Sequence, residues 1–299
     1  MSRPSASVVI ASGAGGDFLF RCLASIREQV TSGDGEILVV DRQGEATRRR
    51  ITREFPEVLV IAAPASQRPT VPQMRRIGVE AARGEIVAII EEHCTAPSHW
   101  FETIVRTLAP ADSAIGGPIL DSEFARLRDW CVYFSEYHNF MPPWEDGERL
   151  MLNGANIAYW RAKLLGHRDV LDSGYWEVVV HPRLALDGAF RAIDAMGVHH
   201  TGPFDYGYYL RQRYLLSRVW SGTQKDRVSL ATRAIHLLAG PLFPVFLFGR
   251  VTRRVLERNR LVGTYAATLP LLVPAWVVYA WGEWLGYLCG PGDALERVE

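Results

Sequence analysis

The chain has 299 residues, 48% hydrophobic and 22% charged, with 33 basic residues balanced by 33 acidic ones. That composition excludes a disordered chain and a general nucleic-acid binder, and it leaves room for one large domain with an appendage. The four cysteines (Cys22, Cys94, Cys131, Cys289) form no C-x-x-C pair, which argues against a zinc ribbon or a secreted disulfide framework and fits a reducing compartment.

In chain order, Ser7-Val-Val-Ile-Ala11 predicts a strand and Ser12-Gly-Ala-Gly-Gly16 a loop. Asp17 is placed as the N-cap of a helix through Val30, with Leu19, Cys22, Leu23 and Ile26 on one face. Glu36-Ile-Leu-Val-Val-Asp41 predicts a second buried strand ending in a carboxylate. A basic helix from Arg42 to Phe55 stops at Pro56; a third strand (57–61) and a helix from Gln73 to Arg83 follow. Glu85-Ile-Val-Ala-Ile-Ile-Glu91-Glu92-His93-Cys94 is then an apolar strand that ends in two carboxylates and an imidazole. Taken alone, such an end is either a solvated turn or a place where a divalent metal or polar ligand is held. Ligands gather at the carboxyl ends of strands in open α/β sheets.

Strands alternating with helices predict an α/β fold, a Rossmann-like and mostly parallel sheet with helices on both faces. The G-x-G-G after the first strand lacks the dinucleotide spacing G-x-G-x-x-G, and neither a Walker motif nor a G-x-S-x-G elbow occurs. Further on, a helix is expected from Trp100 to Leu108 and a strand over 114–119. The aromatic stretch 121–152 reads as an acceptor-side insertion or as plain core. Asn153-Gly-Ala-Asn156 turns into an apolar segment ending at Arg161. Ser173-Gly-Tyr-Trp-Glu177 precedes a helical run, and Tyr208 to Trp220 forms a helix carrying Arg211, Arg213 and Arg218.

Several of these segments stand in a familiar order: 8–12, Val39-Val40-Asp41, Met74-Arg75-Arg76-Ile77-Gly78 through Gly84-Glu85, Glu91-Glu92-His93, Pro97-Ser98-His99-Trp100, and Gly154-Ala155-Asn156 with Arg161. Over about residues 6–222 the chain resembles a family-2 glycosyltransferase of the GT-A, nucleotide-diphospho-sugar type. The resemblance implies a nucleotide-diphosphate sugar as donor, with Ala11, Asp41, Arg76, Glu91, Glu92, Arg213 and Arg218 on the donor side. It implies a divalent metal, manganese or magnesium, on Glu91, Glu92 and His93 with His199 and His200. It places the catalytic base at Glu177, with Asp187 as the fallback and the pair Tyr175-Trp176 lining a sugar site. Three departures stand out: Arg42 replaces an aspartate, Glu-Glu-His replaces D-x-D, and Glu177-Val178 replaces a Glu-Asp pair. Each role has a plain structural counterpart. Glu177 also suits a helix N-terminus, Asp41 a solvated strand end, and Arg213 and Arg218 solvent or lipid head groups. A non-catalytic relative binding nucleotide sugar or lipid is the competing class. A nucleotidyltransferase is a third, and it would want a lysine-bearing loop where this chain has no lysine before Lys163.

The C-terminal end is apolar. Leu230 to Gly249 holds Pro241 and Pro244, and Leu261 to Gly282 is uncharged for the ~20 residues a spanning helix needs. The expected division is a catalytic domain over 1–225 and a membrane-associated helical region over 226–299. The connector 250–260 carries five arginines and one glutamate. Outside a membrane it would contradict the positive-inside rule, so the first segment is expected to lie in or re-enter the cytosolic interface, its arginines on anionic lipid. The second is expected to span or return. A buried helical pair in a soluble protein is the alternative. The N-terminus shows no signal-peptide pattern, so the expected location is the cell membrane with the catalytic domain on the cytoplasmic side. The expected partners are the bilayer and a lipid-linked or membrane-proximal acceptor, with no nucleic acid.

Overall fold

The computed structural model describes residues 4–64, 68–121, 126–171, 174–175, 177–201 and 205–297. The chain opens with β1 (Ala6–Ser12), α1 (Gly16–Ser32), β2 (Glu36–Asp41), α2 (Glu45–Glu54), β3 (Leu59–Ala62), α3 (Val71–Ala81) and β4 (Ile86–Ile90). Next come β5 (Cys94–Thr95), α4 (Trp100–Thr107), β6 (Asp112–Gly116), β7 (Ile119–Leu120), α5 (Leu127–Glu136), β8 (Gly147–Glu148) and β9 (Asn156–Trp160). Three short helices, α6 (Arg161–Gly166), α7 (Arg168–Leu171) and α8 (Glu177–Leu184), lead to β10 (Ala189–Ala192) and β11 (Val198–His200). The remainder comprises α9 (Tyr206–Gln224), α10 (Leu230–Ala239), α11 (Phe243–Glu257), α12 (Val262–Cys289) and α13 (Ala294–Arg297).

Eight strands form one sheet in the order β3-β2-β1-β4-β9-β6-β10-β8. Strands β3, β2, β1 and β4 run parallel, as their apolar runs predict. The sheet is nevertheless mixed, because β9 lies antiparallel to both β4 and β6 and β8 is an antiparallel edge. The direction of β9 follows from where the chain enters it. Asn156 opposes Ile90 at the end of β4, and the Glu91 N–H donates to the Ala155 carbonyl at 3.0 Å. Gly154 and Ala155 are thereby delivered to the carboxyl edge of the sheet. A second sheet, β5-β11-β7, pairs His200 with Cys94 and His199 with Thr95.

Strands β1 and β4 are wholly buried. Helix α3 lies close on β1 and β2 at Gly78, where a Cβ would overlap the Val9 side chain. The expected N-cap of α1 is corrected. Asp17 sits in the first turn and pairs with Arg50 at 3.2 Å, while Gly15, at φ 65°, occupies the cap position without a side-chain bond of its own.

The chain divides into two compact units. The first (Met1–Glu123 with Phe140–Thr201) holds both sheets, and the second (Phe124–Asn139 with Gly202–Glu299) is helical. Helix α9, which the sequence grouped with the N-terminal region, belongs to the helical unit. In that unit Leu230–Glu257 and Val262–Cys289 are long and apolar enough to cross a membrane, with mean hydropathy 1.6 and 1.4.

Candidate active site

The carboxyl end of β4 turns sharply at Glu91, whose carbonyl accepts the Cys94 N–H at 2.9 Å, and the chain re-emerges as β5. The turn points Glu91 and His93 toward β11, which supplies His200. Thr201 fastens the arrangement: its N–H and hydroxyl donate to the His93 carbonyl at 2.8 and 3.0 Å. Among the described residues, Glu91, His93 and His200 are the one His/Cys/Asp/Glu group able to hold a metal ion, their ligand atoms all within 4.8 Å of one another. Burial, with His200 beside it, lowers the His93 imidazole to about 4, so at neutral pH it is in the uncharged, ligating form. Burial opposes ionisation of Glu91, yet His200 and the Arg75 guanidinium outweigh it and hold the carboxyl at about 2. Arg75 is the stronger of the two, because it bonds at 2.9 Å while His200 stands 3.7 Å away. An ionised carboxylate and two imidazoles suit manganese, zinc or iron, and with waters also magnesium. His199 is outside this group; alternation along β11 points it to the other face of the small sheet.

Arg75 carries the connection further. Arg75 is 5% exposed and its guanidinium bridges two carboxylates, Glu91 at 2.9 Å and Glu177 at 2.6 Å. Glu177 opens α8 and lies directly on Gly154, where any Cβ would overlap the carboxylate. The metal group and the expected base are thus joined through one buried cation. Sequence reasoning chose the neighbouring Arg76, which instead pairs with Glu80 one helical turn on, at 3.1 Å. The signal was the phase of α3: Met74, Arg75, Gly78 and Val79 form its buried face.

Glu92 has a different task. It is 3% exposed, and its carboxylate accepts the backbone N–H groups of Gly13, Ala14 and Gly15 at 2.9, 2.6 and 2.9 Å. From the turn after β4 it closes the loop that leads into α1, reaching the Gly15 N–H at the cap position, on the side where a helix attracts negative charge. Asp41 is fully buried and accepts from the Gln43 and Gly44 N–H groups at 3.1 Å and from Arg48 at 3.0 Å. Ala11 packs with Val40 and Met74 in the core. Asp187 precedes β10, at the opposite edge of the sheet from Glu91, and pairs with His167 at 2.6 Å. In the helical unit Arg213 pairs with Glu136 at 3.3 Å, and Arg218 donates to the Gly290 carbonyl and the Tyr214 hydroxyl. Tyr175 is fully buried rather than lining a sugar site, and Trp176 lies outside the described residues.

Beneath Glu177, the Tyr159 hydroxyl meets both the Tyr175 hydroxyl and His181 Nε2, the latter at 2.7 Å. His181 stands edge-on to Phe190 at 4.9 Å. Burial lowers its imidazole to about 4. Between that value and the ordinary one near 6.5, the unfolded chain binds a proton that the folded chain refuses, so stability falls as pH falls through this window. Lowering pH from 7.5 to 5 is therefore expected to reduce the unfolding free energy, by at most about 2 kcal/mol from this group. His181→Gln should flatten that part of the profile, as followed by chemical denaturation at each pH; an unchanged slope would remove His181 as its source.

Comparison with known proteins gives a consistent picture. The model for glycosyl transferase family 2 matches residues 7–171. Polypeptide N-acetylgalactosaminyltransferase 12 of Mus musculus is 32% identical over 139 residues, 44% of this chain. The aligned part spans only 23% of that relative's length. A mannosyltransferase of Pyrobaculum calidifontis, solved in complex with GDP-Man and Mn2+, superposes with a TM-score of 0.56 at 16% identity, covering 96% of this chain and 88% of the other. At that identity the likeness concerns the fold.

Proposed function

The chain belongs to glycosyl transferase family 2, and from that premise we propose that it moves a sugar from a nucleotide-diphosphate donor to a lipid-linked or membrane-proximal hydroxyl, with inversion and with a divalent cation. The observation that carries the reading is the Arg75 bridge, which places one carboxylate in a metal-type cluster and a second, Glu177, within reach of the same guanidinium. An inverting transfer forms the acceptor O–C bond as the C–O bond to the diphosphate breaks. The hydroxyl proton needs a base and the departing diphosphate needs positive charge. Glu177 accepts the proton. Glu91, His93 and His200 hold the cation, which when bound offsets the charge growing on the leaving group. Arg75 helps to hold Glu91 ionised and fixes both carboxylates in direction. The mannosyltransferase solved with GDP-Man and Mn2+ carries such a donor and metal on the same fold. The two apolar segments of the helical unit support attachment to a membrane, and we place the catalytic unit on its cytoplasmic side.

The test is a panel of nucleotide sugars with Mn2+ and a membrane lipid extract, reading release of nucleoside diphosphate. Release is expected with a restricted set of donors, to be lost in chelator and to return with Mn2+ or Mg2+. His200→Ala should weaken Mn2+ binding, read by electron paramagnetic resonance, at least ~10-fold. Full activity in chelator would remove the cation from the mechanism, and silence with every donor would remove the transferase reading.

A further inference from the structure

Leu230–Glu257 and Val262–Cys289 each have the length and hydropathy of a membrane span, but α12 is packed against helices that carry charge. On one side it lies against the α10–α11 segment, which runs antiparallel to it. Arg233 donates to the Tyr287 carbonyl at 2.8 Å, Trp284 to the Leu237 carbonyl at 2.9 Å, Phe243 stacks on Tyr279, and the Thr252 and Tyr265 hydroxyls meet at 2.6 Å. On the other side α9 runs parallel to it. The Tyr206 hydroxyl donates to the Leu271 carbonyl at 2.6 Å; Gly282 lies on Tyr214 and Ser217, and Gly286 on Arg218 and Ser221. Small residues four apart on both helices permit that approach. Near its start, α12 meets α5, with Phe134 against Tyr265 at 5.3 Å, and Arg258 just before it donates to the Asn139 carbonyl.

From Tyr265 to Gly290, then, α12 is lined by α5 and α9. Those two helices carry Asp129, Glu136, Arg211, Arg213 and Arg218. If α12 crossed the bilayer it would draw α9 in alongside it, and each charged group at the bilayer centre costs about 2.5–3.5 kcal/mol even on the most lenient scale.

Among the described residues of the unit, all the exposed large apolar side chains but Leu127 lie on the hairpin and its connecting turn: Leu230 and Leu238 at 82%, Leu242 at 66%, with Phe246, Val277 and Trp281 among them. Arg253 and Arg254 stand exposed at the end of α11. An apolar face ending in cations is complementary to one leaflet of anionic phospholipid, hydrocarbon against the leucines and head groups against the arginines. A 3-10 turn at Gly240–Leu242, which contains Pro241 and is followed by Pro244, separates α10 from α11. Resting on the membrane attachment proposed above, we infer that the helical unit is monotopic: the α10–α12 hairpin is embedded along one leaflet, and both ends of α12 face the same side.

The chain supplies its own probes. Cys289 is exposed at one end of α12, while Cys22, Cys94 and Cys131 are buried. At the other end a Cβ on Gly263 would meet open space, so Gly263→Cys is sterically free. Full-length protein with Cys289 alone exposed, and Gly263→Cys in a Cys289→Ser background, are treated with a membrane-impermeant maleimide in right-side-out and inverted vesicles. Both positions are expected to label in the same vesicle orientation. Labelling in opposite orientations would show that α12 spans and would overturn the inference while leaving membrane attachment intact. So would a position that reacts only after detergent. Recovery of the protein in the soluble fraction without detergent would overturn the attachment as well.

Discussion

Glu177→Gln is expected to lower turnover about 10²–10⁴-fold, the usual worth of a positioned general base, while donor affinity stays within a few-fold of the parent. Glutamine keeps the volume and can still accept the Arg75 hydrogen bond now made at 2.6 Å, but it cannot take up the acceptor proton. Gly154→Ala should reproduce the loss by geometry alone, because its methyl group would displace the carboxylate that rests on Gly154. Initial rates of nucleoside diphosphate release, paired with donor titration calorimetry, separate the two quantities. Unchanged turnover in Glu177→Gln would move the base elsewhere.

The second large effect belongs to Arg75. Arg75→Met leaves Glu91 and Glu177 facing each other without the guanidinium between them. Breaking a buried ion pair from one side costs on the order of 3–5 kcal/mol; the two carboxylates keep side-chain exposures of 30% and 28%, which puts the expectation at the lower end. The pH dependence has a definite sign. Glu91 is held at about 2 in the folded protein against an ordinary 4.5, so its contribution is complete above 4.5 and is lost as pH falls through 2. The gap between parent and Arg75→Met should therefore be widest near neutrality and narrow in acid. Arg75→Lys should be intermediate, since one ammonium cannot reproduce a fork that reaches two carboxylates. Denaturant unfolding at pH 7 and pH 4 measures both; a gap independent of pH would detach Arg75 from Glu91.

Much of this was legible from residue order. Strands β1, β2 and β4 announce themselves as apolar runs of strand length, and the charged end of β4 marked Glu91 and His93 before any geometry was known. His200 was reachable as one of two adjacent histidines, but only the pairing of β11 with β5 decides which of them turns to the cluster. Arg75 and Arg76 differ by about 100° around a helix, so the choice between them depends on where α3 begins, and that is set by Thr70 and Pro72 capping it two residues earlier than the periodicity suggested. The antiparallel course of β9 was beyond reach, because an apolar run carries no arrow. Glu92 looked like a ligand because it sits between two; its partners are amides 77 to 79 residues away. Hydropathy counts apolar residues in α12 but is blind to which helices line it.

The closure of the Gly13–Gly15 amides on Glu92 has a bearing on how the unit responds to its surroundings. A glycine loop opening a helix is ordinarily a ready seat for a solution anion. Here the occupant is covalently part of the chain and flanked by Glu91 and His93. The loop is therefore closed by a group of the chain itself, and the two flanking side chains are tied through Glu92 to the start of a 17-residue helix.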